Sequence, residues 1–186
     1  MPSLPALPLI SLFLFFSLFV LLHLHPSSAA TPPPSQLVDS VCKKTTNYTF
    51  CIQSLYSDSR TRTADRFVLA YVSFDLAYLN ATHTKDYITN LLKNDTKRHA
   101  SDKNMFESLR RCQGYYGKAV KGLAEAINDL DSETFSELGS LAKVADRASQ
   151  DCEVAFKAKH YPRFLSGMNG DLSRLCKICI VVSKLF

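Results

Sequence analysis

The segment KNMFESLRRCQGYYGKAVKGLAEAINDL, residues 103–130, carries the most regular helical pattern in the chain. Its apolar residues recur every three or four positions, which places them on one face of an α-helix. A helix with such a face must cover it against other elements, so the segment predicts a helical domain. The apolar positions are Phe106, Leu109, Cys112, Tyr116, Ala119, Leu123, Ala126, Ile127 and Leu130.

Three further segments show the same periodicity, and the strict alternation typical of strands is nearly absent. The first spans residues 65–93. The second is predicted to begin at Ser132, an N-cap candidate with Glu133 in the first turn, and to end before Pro162. The last follows a predicted loop at residues 167–170. The apolar stripe of the first segment comprises Val68, Leu69, Val72, Leu76 and Leu79.

Two short helical segments precede these four. Apolar residues at 37, 38 and 41 and at 50, 52 and 55 flank a polar turn at residues 45–47. Four long amphipathic helices joined by short connections are typical of an up-down-up-down bundle. The sequence therefore predicts an all-α fold: a four-helix bundle with an N-terminal helical hairpin.

The N-terminus reads as a signal peptide. An apolar run from Leu9 to Leu22 is followed by small residues up to Ala30, and the run is shorter than the roughly 18 to 20 residues that span a bilayer. We expect residues 1–30 to be removed, leaving a secreted domain of residues 31–186 with no membrane segment. The prolines at 32–34 predict an extended tail.

The formal net charge of +5 belongs entirely to residues 31–186, because the first 30 residues contain no Lys, Arg, Asp or Glu. The basic residues are scattered among acidic ones, which is typical of a solvated surface. A stripe of basic residues with interleaved aromatics is missing, so the sequence argues against nucleic-acid binding.

Six cysteines in a secreted chain predict disulfides, although six cysteines allow fifteen pairings. Cys42 and Cys51 flank the turn of the hairpin. Cys112 and Cys152 lie at inward positions of consecutive antiparallel helices, at similar distances from the connection near Asp131. These two pairs are the predicted disulfides, each stabilising by roughly 2 to 4 kcal/mol.

Cys176 and Cys179 form a Cys-x-x-Cys inside the last predicted helix. A redox pair is expected at a helix N-terminus, and structural zinc requires four ligands, for which no second pair exists. We interpret both residues as small buried apolar groups. No metal or cofactor is predicted.

Motifs of catalysis are missing from the sequence: Gly-x-Ser-x-Gly, His-Glu-x-x-His and a glycine-rich phosphate loop do not occur. His83, His99 and His160 are isolated in predicted loops or helix ends, where exposed histidines are the simplest interpretation. The sequence predicts a protein that is not an enzyme.

Three Asn-x-Thr sequons, at Asn47, Asn80 and Asn94, are glycosylation candidates in a secreted chain. Asn94 is the strongest because it is predicted to end a helix beside a polar loop. Asn80 requires a solvent-facing position.

The run VCKKTTNYTFC, residues 41–51, resembles the opening Cys-x-x-Thr-x-x-Tyr-x-x-Cys region of plant invertase and pectin methylesterase inhibitors. Further similar positions, which cover essentially all of residues 31–186, are Ala64-Asp65, Cys112 with Tyr115 and Tyr116, Ala124 to Ile127, and Asp151 to Glu153 with Phe156. Within the family, the chain is most similar to the branch of invertase-inhibitor-like proteins, which includes pollen proteins.

The resemblance implies a secreted inhibitor that acts by stoichiometric docking, without catalysis or cofactor. Its expected partner is a cell-wall or vacuolar acid invertase (β-fructofuranosidase), with pectin methylesterase as the alternative. The expected location is the apoplast and cell wall, or the vacuole. A non-inhibitory secreted homologue and a small-ligand carrier are further alternatives.

Invertase inhibitors can carry Pro-Lys-Phe near the start of the third bundle helix, a motif that reaches into the enzyme's active site. The matching positions here are Glu133, Thr134 and Phe135, so the resemblance makes these three residues the candidate target contacts. Only the phenylalanine is retained. The competing interpretation of Phe135 is a core residue near a helix start.

Overall fold

The computed structural model describes residues 35–97, 103–157 and 165–186. The expected signal peptide, the proline tail, His99, His160 and the expected helix end before Pro162 lie outside these residues. The elements are α1 (Gln36–Cys42), α2 (Tyr48–Tyr56), a 3₁₀ turn (Ser59–Thr63), α3 (Arg66–Lys97), α4 (Lys103–Asp131), α5 (Leu138–Lys157), α6 (Ser166–Val182) and a final 3₁₀ turn (Ser183–Leu185).

The four long helices form an antiparallel bundle in the cyclic order α3, α4, α5, α6. Tyr71, near the start of α3, donates to Asp131 at the end of α4, and Gln113 near the start of α4 donates to Thr89 near the end of α3. Helices α5 and α6 are antiparallel in the same way, as are α3 and α6. The predicted fold class is confirmed, and no described residue lies in a strand.

The hairpin of α1 and α2 packs on the outside of the bundle, against α3 and α6. Ser35 and Asn47 are the N-caps, because their side-chain oxygens accept from the backbone N–H groups of Val38 and Phe50. The Phe50 ring lies 4.5 Å from the guanidinium carbon of Arg174 in α6, which ties the hairpin to the bundle.

The core of α4 follows the sequence pattern, with residues 109, 112, 116, 119, 123, 126 and 130 buried. The predicted stripe of α3 was partly wrong, because Leu79 is 62% exposed. The predicted Leu69 and Val72 are fully buried, and the buried face continues through Ala70, Ser73, Phe74, Ala77, Ala81, Thr84, Ile88 and Leu92. Within the described residues, no helix is both long and apolar enough to cross a bilayer.

The predicted loop at residues 167–170 was also wrong. These residues are helical and α6 begins at Ser166, so Asp171, the N-cap that a loop at residues 167–170 would imply for the last helix, lies inside the helix. The glycines at 167 and 170 suggested a break in the helix, but Asn169 between them is buried. Its side-chain oxygen accepts from Tyr116 and its side-chain nitrogen donates to Glu153. Tertiary contacts here override the low helix propensity of glycine.

Replacing Gly117 by alanine should raise the free energy of unfolding by about 1 kcal/mol, because glycine is the weaker helix former and an added Cβ meets no atom within 4 Å. Chemical denaturation measures the change. Gly139→Ala is the matched control: its Cβ would lie 2.9 Å from the Ser183 hydroxyl oxygen, so it should bring less stabilisation or none. Equal gains for the two variants would contradict the packing of α5 on the C-terminal turn.

Candidate target-contact surface

The connection between α4 and α5 carries the three residues expected to meet a target. After Asp131 the chain forms a Schellman turn: the Thr134 N–H donates to the Asp129 carbonyl (2.8 Å) and the Glu133 N–H to the Leu130 carbonyl (3.2 Å). These bonds satisfy carbonyls that the end of α4 leaves unpaired. The predicted helix start at Ser132 was wrong, because this turn occupies its place and α5 begins at Leu138.

Glu133 adopts a positive φ of 54°, which no other non-glycine residue among those described shares. The left-handed conformation disfavours residues with a Cβ by roughly 1 to 2 kcal/mol, and helices that end in this way usually place glycine there. Its side chain is exposed, as is that of Thr134. The turn therefore projects both side chains from the end of the bundle on a hydrogen-bonded backbone.

Phe135 is half-buried in a group of three phenylalanines, named here the aromatic end of the bundle. Its ring is stacked on Phe186, with 4.4 Å between centroids, and lies 5.9 Å from Phe67. The Phe67 and Phe186 rings are 5.3 Å apart. Such pairs add about 0.5 to 1.5 kcal/mol each beyond the area they bury. Phe135 is thus fixed within a cluster and does not stand free.

The aromatic end also carries charge. The Arg66 guanidinium carbon lies 4.8 Å from the Phe67 ring centroid and 5.3 Å from that of Phe186, and its Nη1 donates to the Leu185 carbonyl. Nearby, Asp131 accepts from the Tyr71 hydroxyl, and this hydrogen bond raises the pKa of Tyr71. Aromatic and arginine side chains at a surface are the types that most often dominate binding energy in protein interfaces.

Sequence reasoning did not find Arg66, Phe67 or Phe186. Arg66 contacts Leu185 across 119 residues of sequence, so no local pattern brings these residues together. The sequence offered one weak indication, namely that Phe67 lies outside the apolar stripe of α3. In the structure its side chain is 37% exposed. An apolar residue off the stripe at a helix start indicates either exposure or a contact with another element.

The two disulfides are Cys42–Cys51 and Cys112–Cys152, with Cα separations of 5.5 and 4.7 Å. Cys176 and Cys179 are free and buried. Burial raises the pKa of the Cys179 thiol to about 12 and raises that of Cys176 well above its ordinary value. Thiols with raised pKa are poor nucleophiles, which agrees with their interpretation as buried apolar groups.

The three sequons differ in their surroundings. Asn47 is exposed, but its side-chain oxygen accepts from the Phe50 N–H as the N-cap of α2. Asn80 lies within α3, and its side-chain oxygen is buried without a hydrogen-bond partner. Asn94 is exposed near the end of α3. Asn94 remains the best glycosylation candidate, and Asn80 the weakest.

No group of three or more His, Cys, Asp or Glu side chains suited to a metal ion occurs in the described ranges. His83, the histidine that these ranges contain, is exposed. The aromatic end combines three phenylalanine rings with the Arg66 guanidinium and lies beside the exposed Glu133 side chain.

Comparison with known proteins gives consistent matches. The family model "Plant invertase/pectin methylesterase inhibitor" matches residues 36–182. The pectinesterase inhibitor of Actinidia deliciosa is 30% identical over 92% of this chain and 92% of its own length. The cell wall / vacuolar inhibitor of fructosidase 2 of Arabidopsis thaliana is 30% identical over 89% of this chain and 92% of its own.

A solved structure supports the fold. The crystal structure of mutant form A of a pectin methylesterase inhibitor from Arabidopsis superposes with a TM-score of 0.70 and 21% identity, and the match covers 80% of this chain and 96% of that one. At this identity the likeness concerns the fold alone.

Proposed function

The chain belongs to the plant invertase/pectin methylesterase inhibitor family, and from this premise we propose that it inhibits an acid invertase by docking the aromatic end of its bundle on the enzyme. The family consists of enzyme inhibitors, and the chain is itself an inhibitor and not an enzyme. The proposal concerns the target, the surface and the location.

The 30% identity to the fructosidase inhibitor, over 89% of the chain, supports invertase as a target, and two regions of the sequence carry the choice between invertase and pectin methylesterase. They are the opening region around Cys42 and the region from Asp151 to Phe156, because both resemble the invertase-inhibitor branch. The same relative is named as a cell-wall and vacuolar protein, which supports secretion after removal of residues 1–30 and action of residues 31–186 in the apoplast or vacuole.

The mode of docking follows from the packing of Phe135. A single inserted side chain must be free to enter an active site, whereas Phe135 is stacked on Phe186 and flanked by Phe67. Withdrawing it would break these contacts. We therefore expect the aromatic end, with Glu133 and Thr134 beside it, to bind as a preformed surface, which reduces the entropy lost on association.

Pectin methylesterase is the second candidate target. It is favoured by the equally high identity of the pectinesterase inhibitor, 30% over 92% of this chain. Both targets can be tested in one format: the purified protein, without its signal peptide, is mixed with acid invertase or with pectin methylesterase at mildly acidic pH. We expect dose-dependent loss of invertase activity that saturates near equimolar inhibitor. Loss of esterase activity alone would assign the second target, and failure against both would reject the proposal.

The docking surface is tested by Phe67→Ala and Glu133→Asn. Asparagine tolerates a positive φ, so the second variant removes the carboxylate and keeps the turn. Each variant should weaken inhibition about tenfold, or about 1.4 kcal/mol. Leu79→Ala is the control, because Leu79 is exposed but lies about 18 Å farther along α3. Equal inhibition constants for all three variants and the parent would exclude the aromatic end as the docking surface.

A further inference from the structure

A cleft on the flank of the bundle, between α4 and α5, is separate from the aromatic end. Its volume is about 310 Å³, at the lower end of the range of small-ligand pockets. Tyr115 lies about 24 Å along α4 from Asp131. The lining includes Tyr115, Lys118, Lys143, Val144, Arg147 and Asp151.

The two walls of the cleft are held in a fixed relation. On one side of it along the helices, the Cys112–Cys152 disulfide joins α4 to α5. On the other side, the helices approach closely at Gly122, where an added Cβ would lie 3.6 Å from the Leu141 carbonyl oxygen. A ligand would therefore meet a preformed site, which lowers the entropy lost on binding.

The charge of the cleft is positive, with three cationic side chains against one carboxylate. Arg147 is already paired with Asp151, at 3.2 Å between Nε and Oδ1. Lys118 and Lys143 project from opposite walls, are exposed, and form no ion pair within the described part of the chain. Two ammonium groups are thus available to an anionic ligand in one cleft.

The same cleft offers apolar contact beside these charges. Tyr115 presents a half-buried ring, Val144 is 46% exposed, and Ala148 is buried beneath them. Tyrosine and valine suit a ligand that has an apolar face as well as negative charge. A pyranose ring bearing a carboxylate combines these two properties.

We propose that this cleft binds an acidic polysaccharide, a chain of uronic acid residues whose carboxylates pair with Lys118 and Lys143 while a sugar ring rests on Tyr115. A protein partner is a poorer fit, since a standard interface takes about 20 to 30 residues on each side and seven residues line this cleft. Nucleic acid requires a basic stripe with several aromatics, and one tyrosine lines this cleft. The proposal does not depend on which enzyme the protein inhibits.

The test compares binding of a de-esterified oligogalacturonide to the parent protein and to Lys118→Gln/Lys143→Gln by calorimetry at low ionic strength. The double variant should bind about tenfold more weakly, since each exposed charge pair contributes up to about 1 kcal/mol. Lys44→Gln/Lys184→Gln is the matched control: it makes the same change of net charge at exposed lysines outside the cleft, and its affinity should change less than twofold.

Three results would overturn the proposal: equal weakening in both double variants, unchanged affinity in the cleft variant, or equal affinity of the parent for a fully methyl-esterified, neutral oligomer. The first would show that net charge alone attracts the ligand. A cleft variant that keeps oligogalacturonide binding but loses affinity for the target enzyme would assign the cleft to a protein contact instead. Unchanged thermal unfolding of the variants establishes that the fold is intact.

Discussion

The double variant Cys112→Ala/Cys152→Ala should unfold with a free energy about 4 kcal/mol below that of the parent, because the disulfide closes a loop of 40 residues. Without it, the unfolded chain gains the conformational entropy of that loop. The bond also joins α4 to α5 in the core, where both cysteines are buried. Alanine is chosen over serine because a buried hydroxyl would add a separate penalty.

Two controls separate the crosslink from the loss of a buried sulfur. Cys42→Ala/Cys51→Ala opens a loop of 9 residues and should lower stability less, by about 2.5 kcal/mol. Cys176→Ala removes a buried thiol without breaking a crosslink, so its loss should be about 1 kcal/mol. Urea denaturation of the four proteins gives the comparison. A Cys112→Ala/Cys152→Ala variant no less stable than Cys176→Ala would show that the bridge does not stabilise the bundle.

The helices of this fold could be predicted where hydrophobic periodicity is strong. The segment predicted at residues 103–130 corresponds to α4, Lys103–Asp131, since apolar residues recur at every turn of its buried face and the opposite face is polar. In α3 large apolar side chains also lie on the exposed side, namely Phe67, Leu79 and Tyr87, so the helical periodicity is weak and Leu79 was wrongly assigned to the buried face. Hydrophobic periodicity therefore locates a buried face only where the opposite face of the helix is polar.

The start of α5 shows a second limit of the sequence pattern. Ser132 followed by acidic residues is typical of an N-cap, but the chain uses these residues to end α4 in a Schellman turn. Such a turn is usually recognised by glycine, and here Glu133 takes the left-handed position. Strain of this kind is often found at functional positions. Glu133 is thus both the residue that hides the turn from sequence analysis, because it stands where glycine is usual, and a candidate target contact.

The candidate surface could be predicted only in part. The resemblance indicated Glu133, Thr134 and Phe135, which are adjacent in sequence. The partners that fix Phe135 come from the start of α3 and from the C-terminus, so only the folded bundle brings them together. The positive cleft escaped prediction for the same reason, because Lys118 and Lys143 belong to different helices and form no run of basic residues.

A chain of buried and half-buried polar groups connects three of the four bundle helices. The Tyr116 hydroxyl of α4 donates to Oδ1 of Asn169 in α6 at 2.9 Å, and Nδ2 of Asn169 donates to the Glu153 carboxylate of α5 at 3.0 Å. Ser166 donates to the same carboxylate. Burial raises the pKa of Tyr116, so its phenol keeps the proton that it donates. Asn169 therefore links α6 to both α4 and α5 through a single side chain.

Asn169→Ala should lower the free energy of unfolding by about 3 kcal/mol, because it removes the Oδ1 acceptor of the fully buried Tyr116 hydroxyl, leaving Thr84 as its side-chain partner, and takes a donor from Glu153. Tyr116→Phe removes only one of these bonds and should cost about 1.5 kcal/mol. In the double variant the hydroxyl that lost this acceptor is gone, so its loss should fall short of the sum of the two single losses by about 1 kcal/mol. Urea denaturation of the four proteins measures this coupling. Strictly additive losses would mean that Tyr116 and Asn169 stabilise the bundle independently and that the hydrogen bond between them contributes nothing.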